Sequence, residues 1–347
     1  MLDFFDNSLR SFLQSGTPGV GSSPAWLVTR IRRWSATPEW STAARRLRPT
    51  EQVEVFAELG RRVFDSDLAN YRTDLELNTR RVACLGSARR RRELLREHCA
   101  FLFISLLDAL VLSDERARDD VLRDVEVRGV EQGDASLAAG RGAILLGCLQ
   151  THSGFGLRHP RLAHWKFGVV RHQSATDGYP LGWAEKTYGE NVDFVPTTSA
   201  GVERLFACLK ARGCVAVQND FSYPQTIGLP GTLFGRPVLV SRSLVKLILR
   251  TRAPVLPVNV VRLEPFASRR IRVEIHPPLP LDDLTESKED QRIAALRLSV
   301  ATECLIRRYP VQWTHWTLLE YRWREAEAAF AKRAEAFLPC LDASGEK

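Results

Sequence analysis

The sequence predicts an α/β protein in which a mostly parallel central sheet is flanked by helices, with an N-terminal helical subdomain. Three observations support this fold class. Beyond residue 140, short apolar runs end at glycine or polar residues, as buried strands do. Helical segments of about ten residues separate several of these runs, which is typical of a parallel sheet. The region before the first run has helical periodicity alone.

The first third of the chain is predicted to be helical. Residues 1–50 mix glycine, proline, serine and tryptophan, and we expect a loosely organised N-terminal arm with short helices there. Residues 51–124 are expected to form the helical subdomain. Thr50 is a capping residue type followed by Glu51 and by apolar positions at helical spacing, which predicts the first helix. A second helix with a long apolar face is predicted over 90–112.

The α/β domain is predicted over residues 125–325, and residues 326–347 are expected to form a C-terminal helix and tail. The first clear strand is the run Ala143-Ile-Leu-Leu-Gly-Cys-Leu, which lies between Gly142 and a polar turn. Further strands are predicted at Phe167–Val170, Val192–Val195, Cys214–Val217, Pro237–Val240, Pro254–Val261 and Ile271–Ile275. Helices are predicted over 179–188, 199–211, 241–251, 287–308 and 318–337.

Composition limits the class of protein. With 44% hydrophobic and 26% charged residues the chain is within the range of globular proteins, which excludes a disordered or collagen-like one. Its seven cysteines are scattered and lack zinc spacing, so we expect reduced thiols and no metal. No secretory signal is recognisable, and the longest apolar run, 100–112, is shorter than the roughly 20 residues of a membrane span. We therefore expect a cytoplasmic protein, with peripheral contact to the inner face of the cell membrane left open.

Positive charge is concentrated in two stretches. The net charge is +8, and residues 78–96 carry seven arginines against one acid. Residues 135–176 hold five basic residues and no acid. These stretches suit anionic carriers or lipid headgroups. The sequence contains no recognition motif for nucleic acid, so no nucleic-acid partner is predicted.

A histidine follows the first clear strand, at the position where open α/β sheets bind ligands. His152 lies in the segment Thr151-His-Ser-Gly-Phe-Gly, and its side chain can take up a proton near neutral pH. The neighbouring glycines would let a substrate approach closely. On the residues alone, a half-buried structural histidine remains the alternative. Cys148 lies within the apolar run and is expected to be an inert thiol.

Several sequence blocks stand in a recognisable order around this histidine. In chain order they are Gly140-Arg-Gly-Ala-Ile-Leu-Leu-Gly-Cys-Leu-Gln-Thr-His152, Val169-Val-Arg171, Gly213-Cys-Val-Ala-Val-Gln-Asn-Asp220, Gly231-Thr-Leu-Phe-Gly-Arg-Pro-Val, Ala253-Pro-Val-Leu-Pro-Val and Tyr309-Pro-Val-Gln-Trp-Thr-His-Trp. Together they resemble the lipid A lauroyl/myristoyl acyltransferase family, part of the lysophospholipid acyltransferase superfamily. The resemblance covers residues 55 to 325.

The resemblance implies transfer of an acyl group from a thioester to an acceptor hydroxyl, without a metal, another cofactor or a covalent enzyme intermediate. The implied donor is an acyl- or peptidyl-carrier protein or a CoA thioester, and the acceptor is a small molecule or a lipid. His152 matches the general base of the family's H-x4-acid motif, in which the acid fixes the imidazole tautomer. At the position of that acid this sequence has Leu157.

Three interpretations of Leu157 follow. An acid from elsewhere could replace the missing carboxylate, and Asp220, Glu185 and Asp177 are the candidates; by resemblance, Asp220 aligns with an acidic position of the family. Alternatively, the acceptor is an amine or a more acidic nucleophile that needs less help from a base. The third interpretation is an altered or inactive homologue that binds a partner without catalysing acyl transfer.

The substrate-binding residues are predicted from the same blocks. Ser153 and Gly154 are expected to contact the substrate beside the base. By resemblance, Arg171 would hold a phosphate or carboxylate at a strand end. Phe234 and Gly235 match the family's aromatic-glycine loop near the active site. We expect a transferase of lipid or specialised-metabolite biosynthesis.

Overall fold

A computed structural model describes residues 1–14, 31, 33–35, 37–171, 188–196, 198–220, 228–264 and 270–342. Within these ranges, six α-helices of eight or more residues come before the sheet. They are α1 (Leu2–Gln14), α2 (Pro38–Arg45), α3 (Pro49–Asp65), α4 (Tyr71–Thr79), α5 (Ala88–Ser113) and α6 (Glu115–Arg123). The helical N-terminal region is therefore confirmed.

Strands and helices alternate in the rest of the described chain. In chain order they are β1 (Glu126–Arg128), α7 (Val130–Ala138), β2 (Ala143–Gly147), α8 (Gly154–Leu157), β3 (Phe167–Arg171), β4 (Val192–Pro196), α9 (Ser199–Lys210), β5 (Cys214–Gln218), β6 (Leu229–Leu233), β7 (Arg236–Val240), α10 (Arg242–Thr251), β8 (Val255–Arg262), β9 (Ile271–Ile275), α11 (Lys288–Arg308) and α12 (Leu319–Asp342). Among the residues described, no helix combines the length and apolar character needed to cross a bilayer.

The N-terminal helices owe their bounds and contacts to particular residues. Helix α3 begins at Pro49, one residue before the predicted cap, and Glu51 accepts a hydrogen bond of 2.8 Å from the N–H of Arg48. Gly60 lies where α3 crosses α5: a Cβ there would stand 2.4 Å from the carbonyl oxygen of Cys99. The absence of a side chain at this position therefore permits the close approach of the two helices.

Within the described ranges, seven strands form one sheet in the order β1-β9-β8-β2-β5-β3-β4. Strands β8, β2, β5, β3 and β4 run parallel to one another, while β9 is antiparallel to β8. Strands β6 and β7 form a separate antiparallel hairpin. The predicted α/β class with a mostly parallel central sheet is confirmed.

Both faces of the sheet are covered, which explains why its strands are apolar runs. On β2, Ile144 and Leu146 point to a core that includes buried residues of α9, α10 and α11. Ala143 and Leu145 point to the opposite core, which includes Phe155 of α8 and residues of α7. Strand β2 therefore lies at the centre of the sheet, with its carboxyl end near the start of α8.

Some elements differ from the prediction. Strand β6 was not predicted, because its sequence Leu-Pro-Gly-Thr-Leu contains two residues that are depleted in strands. Strand β1, of three residues, was also missed. Helix α12 crosses the predicted boundary between 325 and 326. The helix predicted over 179–188 lies outside the described residues except for its last position.

Candidate active site

The loop between β2 and α8 carries His152. Gly147 ends β2 and pairs with Gln218 of β5 on one side and Val258 of β8 on the other. The loop therefore leaves the sheet at its centre, at the edge where the parallel strands end. Ligands of open α/β sheets bind at this edge, as the sequence analysis expected for His152.

Hydrogen bonds from distant segments hold this loop. Thr314 donates its N–H to the carbonyl oxygen of Leu149 at 3.0 Å. The hydroxyl of Thr151 donates to Oε1 of Gln312 at 3.0 Å, and the N–H of Thr151 donates to the carbonyl oxygen of Val260 at 3.1 Å. The loop is thus fixed on both sides just before His152.

Asp220 holds the same loop through its carboxylate. It is fully buried, and its Oδ2 accepts hydrogen bonds from the N–H of Leu149 at 2.7 Å and from Nε1 of Trp313 at 2.8 Å. Nδ1 of His315 lies 3.3 Å from the same oxygen. Burial raises the pKa of Asp220, but His315 and the hydrogen bonds outweigh burial and hold the pKa below its ordinary value. Asp220 is therefore an ionised anchor of the loop.

The hydrogen bonds of Asp220 to described residues do not include the ring of His152. They go to Leu149, Trp313 and His315. Asp220 therefore holds the His152 loop at Leu149 and not at the His152 ring. The other two candidate acids, Asp177 and Glu185, lie outside the described residues.

The His152 ring is half-buried at the start of α8. Its Nδ1 accepts a hydrogen bond of 3.1 Å from the N–H of Gly154. The ring also lies against Tyr188, with 5.1 Å between ring centroids. Because Nδ1 is the acceptor in this contact, the neutral ring carries its proton on Nε2. A carboxylate at Nδ1, as in a catalytic triad, would favour the other tautomer.

Leu157 is an apolar residue in apolar surroundings. Only 7% of its surface is exposed, and it belongs to the same core as Phe155 and Val273. Its N–H donates to the carbonyl oxygen of Ser153 at 3.1 Å, which closes the single turn of α8. Ser153 and Gly154, both predicted to bind substrate, thus form the start of that turn beside His152.

Arg171 is placed at the same edge of the sheet as His152. It is the last residue of β3 and pairs with Pro196 at the end of β4. Its backbone is described and its side chain is not, so the predicted contact with an anionic group stays a prediction.

Phe234 and Gly235 form the turn of the β6–β7 hairpin, with φ values of +53° and +76°. Positive φ at both positions is typical of the tight turns that join antiparallel strands. The Phe234 ring stacks on Trp316 with 5.4 Å between ring centroids. The backbone N–H of Phe234 donates to Oε2 of Glu303 at 2.5 Å. Phe234 also packs on Trp313, the residue that binds Asp220. The structure therefore connects this turn with the His152 loop through Trp313.

A cavity of about 320 Å³ lies between α9 and α10, on the face of the sheet opposite α8. Its apolar wall is made by Val170, Val202, Leu205, Val217, Leu244 and Leu247. Polar residues at the carboxyl end of β5, Gln218 and Asn219, also line it. This cavity was not predicted from the sequence, because its walls come from strands and helices whose contacts arise only in the folded sheet.

His315 and Cys148 also lie near the site; the sequence predicted the state of Cys148 but not the contact of His315. His315, which sequence reasoning treats as a packing residue, contacts the buried carboxylate of Asp220. The sequence feature that could have indicated a role for His315 is its place within the Trp-Thr-His-Trp block. Cys148 is buried, and burial raises its pKa well above the ordinary value, so it is held as a thiol.

Comparison with known protein families adds one finding. Residues 45–325 match the family described as bacterial lipid A biosynthesis acyltransferase. The match begins at the end of α2, ends within α12 and includes the whole sheet. No protein with a curated description matches the sequence significantly.

Proposed function

The chain belongs to the bacterial lipid A biosynthesis acyltransferase family, and from this premise we propose that it transfers an acyl or aminoacyl group from a thioester to a hydroxyl or amine acceptor, with His152 as the general base. The observation that carries the proposal is the place of His152. It follows the central strand, in a loop that Asp220 and Thr314 hold by hydrogen bonds to Leu149.

In the proposed reaction the acceptor attacks the carbonyl carbon of the thioester. His152 takes the proton that the acceptor loses, and a tetrahedral intermediate forms. The carbon–sulfur bond then breaks, and the protonated ring returns the proton to the departing thiolate. The products are the acylated acceptor and the free thiol of the donor, which is a carrier protein or CoA.

The geometry of His152 favours an amine as the acceptor. With Gly154 bound to Nδ1, the neutral ring holds its proton on Nε2. For Nε2 to take up a proton, the ring proton must first move to Nδ1, where Leu157 offers no carboxylate to bind it. A hydroxyl needs a base during its attack, whereas a neutral amine attacks with its own lone pair and loses its proton afterwards.

The proposal is tested by replacing the base. We expect His152→Ala to lower the turnover of a thioester donor by about 100-fold or more, because a positioned general base contributes at least that much. The measurement is release of free thiol with acyl-carrier protein and acyl-CoA donors and with amine and hydroxyl acceptors. His164→Ala is the matched control, since His164 is an exposed histidine that pairs with Asp134. Unchanged turnover in His152→Ala would contradict the proposed role of His152.

A second candidate function is non-catalytic binding of a carrier protein or lipid. The residue at the position of the family's acid favours it, because Leu157 lies in an apolar core and cannot itself orient the base. It predicts no turnover with any thioester and saturable binding of a carrier or lipid. The same donor panel therefore separates the two functions.

The proposal also covers the location of the protein and the pathway in which it acts. We place the protein in the cytoplasm, in contact with the inner face of the cell membrane where its acceptor is a lipid. We assign it to lipid or specialised-metabolite biosynthesis. The support for contact with an anionic carrier or headgroup is the excess of positive charge, +8 over the whole chain.

A further inference from the structure

Another cavity lies at the edge of the sheet opposite His152. It has a volume of about 180 Å³ and lies at the amino end of β8, between α7 and α10. Two arginines line it: Arg141, which precedes β2, and Arg252, which follows α10. Strands β2 and β8 are parallel, and both run from this cavity toward the edge that carries the His152 loop. The cavity is therefore separate from the candidate active site, and it is called the amino-edge cavity below.

Arg141 is held in place by its backbone and not by an acid. The two neighbouring glycines, Gly140 and Gly142, have φ values of +76° and +66°. A Cβ on Gly142 would lie 2.7 Å from the carbonyl oxygen of Gly213, so this turn packs closely on the start of β5. The Arg141 side chain is exposed and forms no ion pair with a residue in the described ranges. Its guanidinium group is thus available to a ligand.

Arg252 is anchored through one part of its guanidinium group. Its Nη1 donates to the carbonyl oxygen of Asp282 at 3.2 Å and also to the carbonyl oxygen of Leu284. Its Nε and Nη2 make no hydrogen bond to a residue that the structure describes. The anchored side chain therefore keeps a fixed position and still has donors for an anion.

The rest of the lining is partly polar and partly apolar. Gln132 and Ser136 contribute polar side chains from α7. Asp282 is the one acid among the lining residues, against the two arginines, so the balance of charge around the cavity is positive. The apolar wall includes Ile248, Leu249, Leu279 and Leu281.

We propose that the amino-edge cavity binds a small phosphate monoester, with the phosphate between Arg141 and Arg252 and the organic group on the apolar wall. Guanidinium groups bind phosphate oxygens through paired, charge-assisted hydrogen bonds. At about 180 Å³ the cavity is below the range of about 300 to 1,000 Å³ that is typical of ligand pockets, so it suits a small molecule. The proposal does not depend on acyl transfer, because the site lies at the other edge of the sheet from His152.

The alternative role of these arginines is to offset the negative ends of helices. Arg252 directly follows α10, and Arg212 lies two residues beyond the end of α9. Both have positive φ, +55° and +61°. Arg212 is exposed and forms no ion pair with a described residue, but it does not line the cavity. Arg212→Gln is therefore a matched control that shares the place near a helix end and lacks the ligand.

The experiment measures binding of phenyl phosphate to the full chain by calorimetry and by the rise of the melting temperature with ligand concentration. Sodium chloride at equal ionic strength is the blank. We expect Arg141→Gln to bind at least about tenfold more weakly than the wild type, because it loses charge-assisted hydrogen bonds. Arg212→Gln should bind within about twofold of the wild type. Equal losses in the two variants, or no saturable binding to the wild type, would overturn the proposal.

Two further variants test the position of the phosphate. Ala135 is exposed on α7 and lines the cavity, so Ala135→Trp should block binding without a change of charge. Asp282→Asn should strengthen binding about two- to fivefold, because it removes a carboxylate that repels the anion. It keeps the backbone carbonyl that anchors Arg252. Unchanged binding in Ala135→Trp, or weaker binding in Asp282→Asn, would contradict a phosphate held in this cavity.

Two other probes identify the source of the phosphate. Inorganic phosphate should bind more weakly than phenyl phosphate, because it leaves the apolar wall uncovered; equal affinity would contradict a role for that wall. Vesicles that contain phosphatidic acid present the same monoester on a lipid surface, and we expect Arg141→Gln to leave their binding unchanged. Vesicle binding that Arg141→Gln and Ala135→Trp both abolish, without binding of phenyl phosphate, would assign the cavity to a lipid headgroup and overturn a small-molecule site. Because no thioester is used, failure of the proposed acyl transfer would leave these results unaffected.

Discussion

At the scale of single residues, the site depends on what binds Nδ1 of His152. A carboxylate there fixes the proton on Nδ1 and stabilises the charged ring. In this chain the N–H of Gly154 occupies Nδ1, and Leu157 stands at the position where the family resemblance implies an acid. Gly154, which binds Nδ1, and Leu157, which stands at the position of the acid, both belong to the single turn α8.

Restoring an acid at position 157 should not restore an oriented base. We expect Leu157→Glu to lower the melting temperature and to leave turnover unchanged or lower, because the carboxylate would enter an apolar core at a cost of several kcal/mol. Leu157→Gln, which has similar size and no charge, is the control for a polar group alone. Thermal unfolding and thiol release are the measurements. Higher turnover in Leu157→Glu would show that the acid was simply missing.

At the scale of elements, the sequence predicted strands and helices better than the contacts between loops. The runs at Ala143–Gly147 and Cys214–Gln218 are apolar and bounded by turns, so periodicity located them. The contact of Asp220 with His315 joins residues 95 positions apart, and only the folded sheet brings them together. His152 was predicted from its position after a strand. The contact of its Nδ1 with the N–H of Gly154 could be identified only from the backbone geometry of α8.

The loop anchor formed by Asp220 makes a prediction about acid stability. We expect Asp220→Asn to lower the free energy of unfolding at pH 7 by about 3 kcal/mol or more, since it removes one partner of a buried charged cluster. The pKa of Asp220 is depressed in the folded protein, so its contribution is complete above the unfolded pKa of about 3.9 and is lost as the pH falls through the folded pKa. The difference between wild type and variant should therefore shrink below about pH 4.

Urea unfolding at pH 7 and at pH 3 measures this difference. Asp124→Asn is the matched control, because Asp124 is exposed and should give a small difference at both pH values. A difference between wild type and Asp220→Asn that is equal at pH 7 and pH 3 would contradict an ionised anchor.

At the scale of the whole molecule, the helical N-terminal region and the sheet share buried contacts. Phe56 of α3 and Phe103 of α5 lie in one core with Phe234 and Trp313, which come from the C-terminal half of the sequence. The positive charge of residues 78–96 is partly neutralised within the folded chain. Four of the seven arginines within 78–96 pair with acids, whereas Arg80, Arg90 and Arg91 form no ion pair with a described residue.

A buried ion pair joins the two parts of the molecule and gives the last prediction. Asp108 interrupts the apolar run of α5 and pairs with Arg262 at the end of β8; their side chains are 1% and 5% exposed. We expect Asp108→Asn to cost about 3 to 5 kcal/mol, because it leaves the Arg262 charge buried without its partner. The Asp108→Leu/Arg262→Met double variant should recover most of that loss, since apolar residues of similar volume can replace a buried pair. Chemical unfolding monitored by tryptophan fluorescence measures both variants. A double variant less stable than Asp108→Asn would show that the pair itself, rather than the avoidance of an orphaned charge, holds α5 to the sheet.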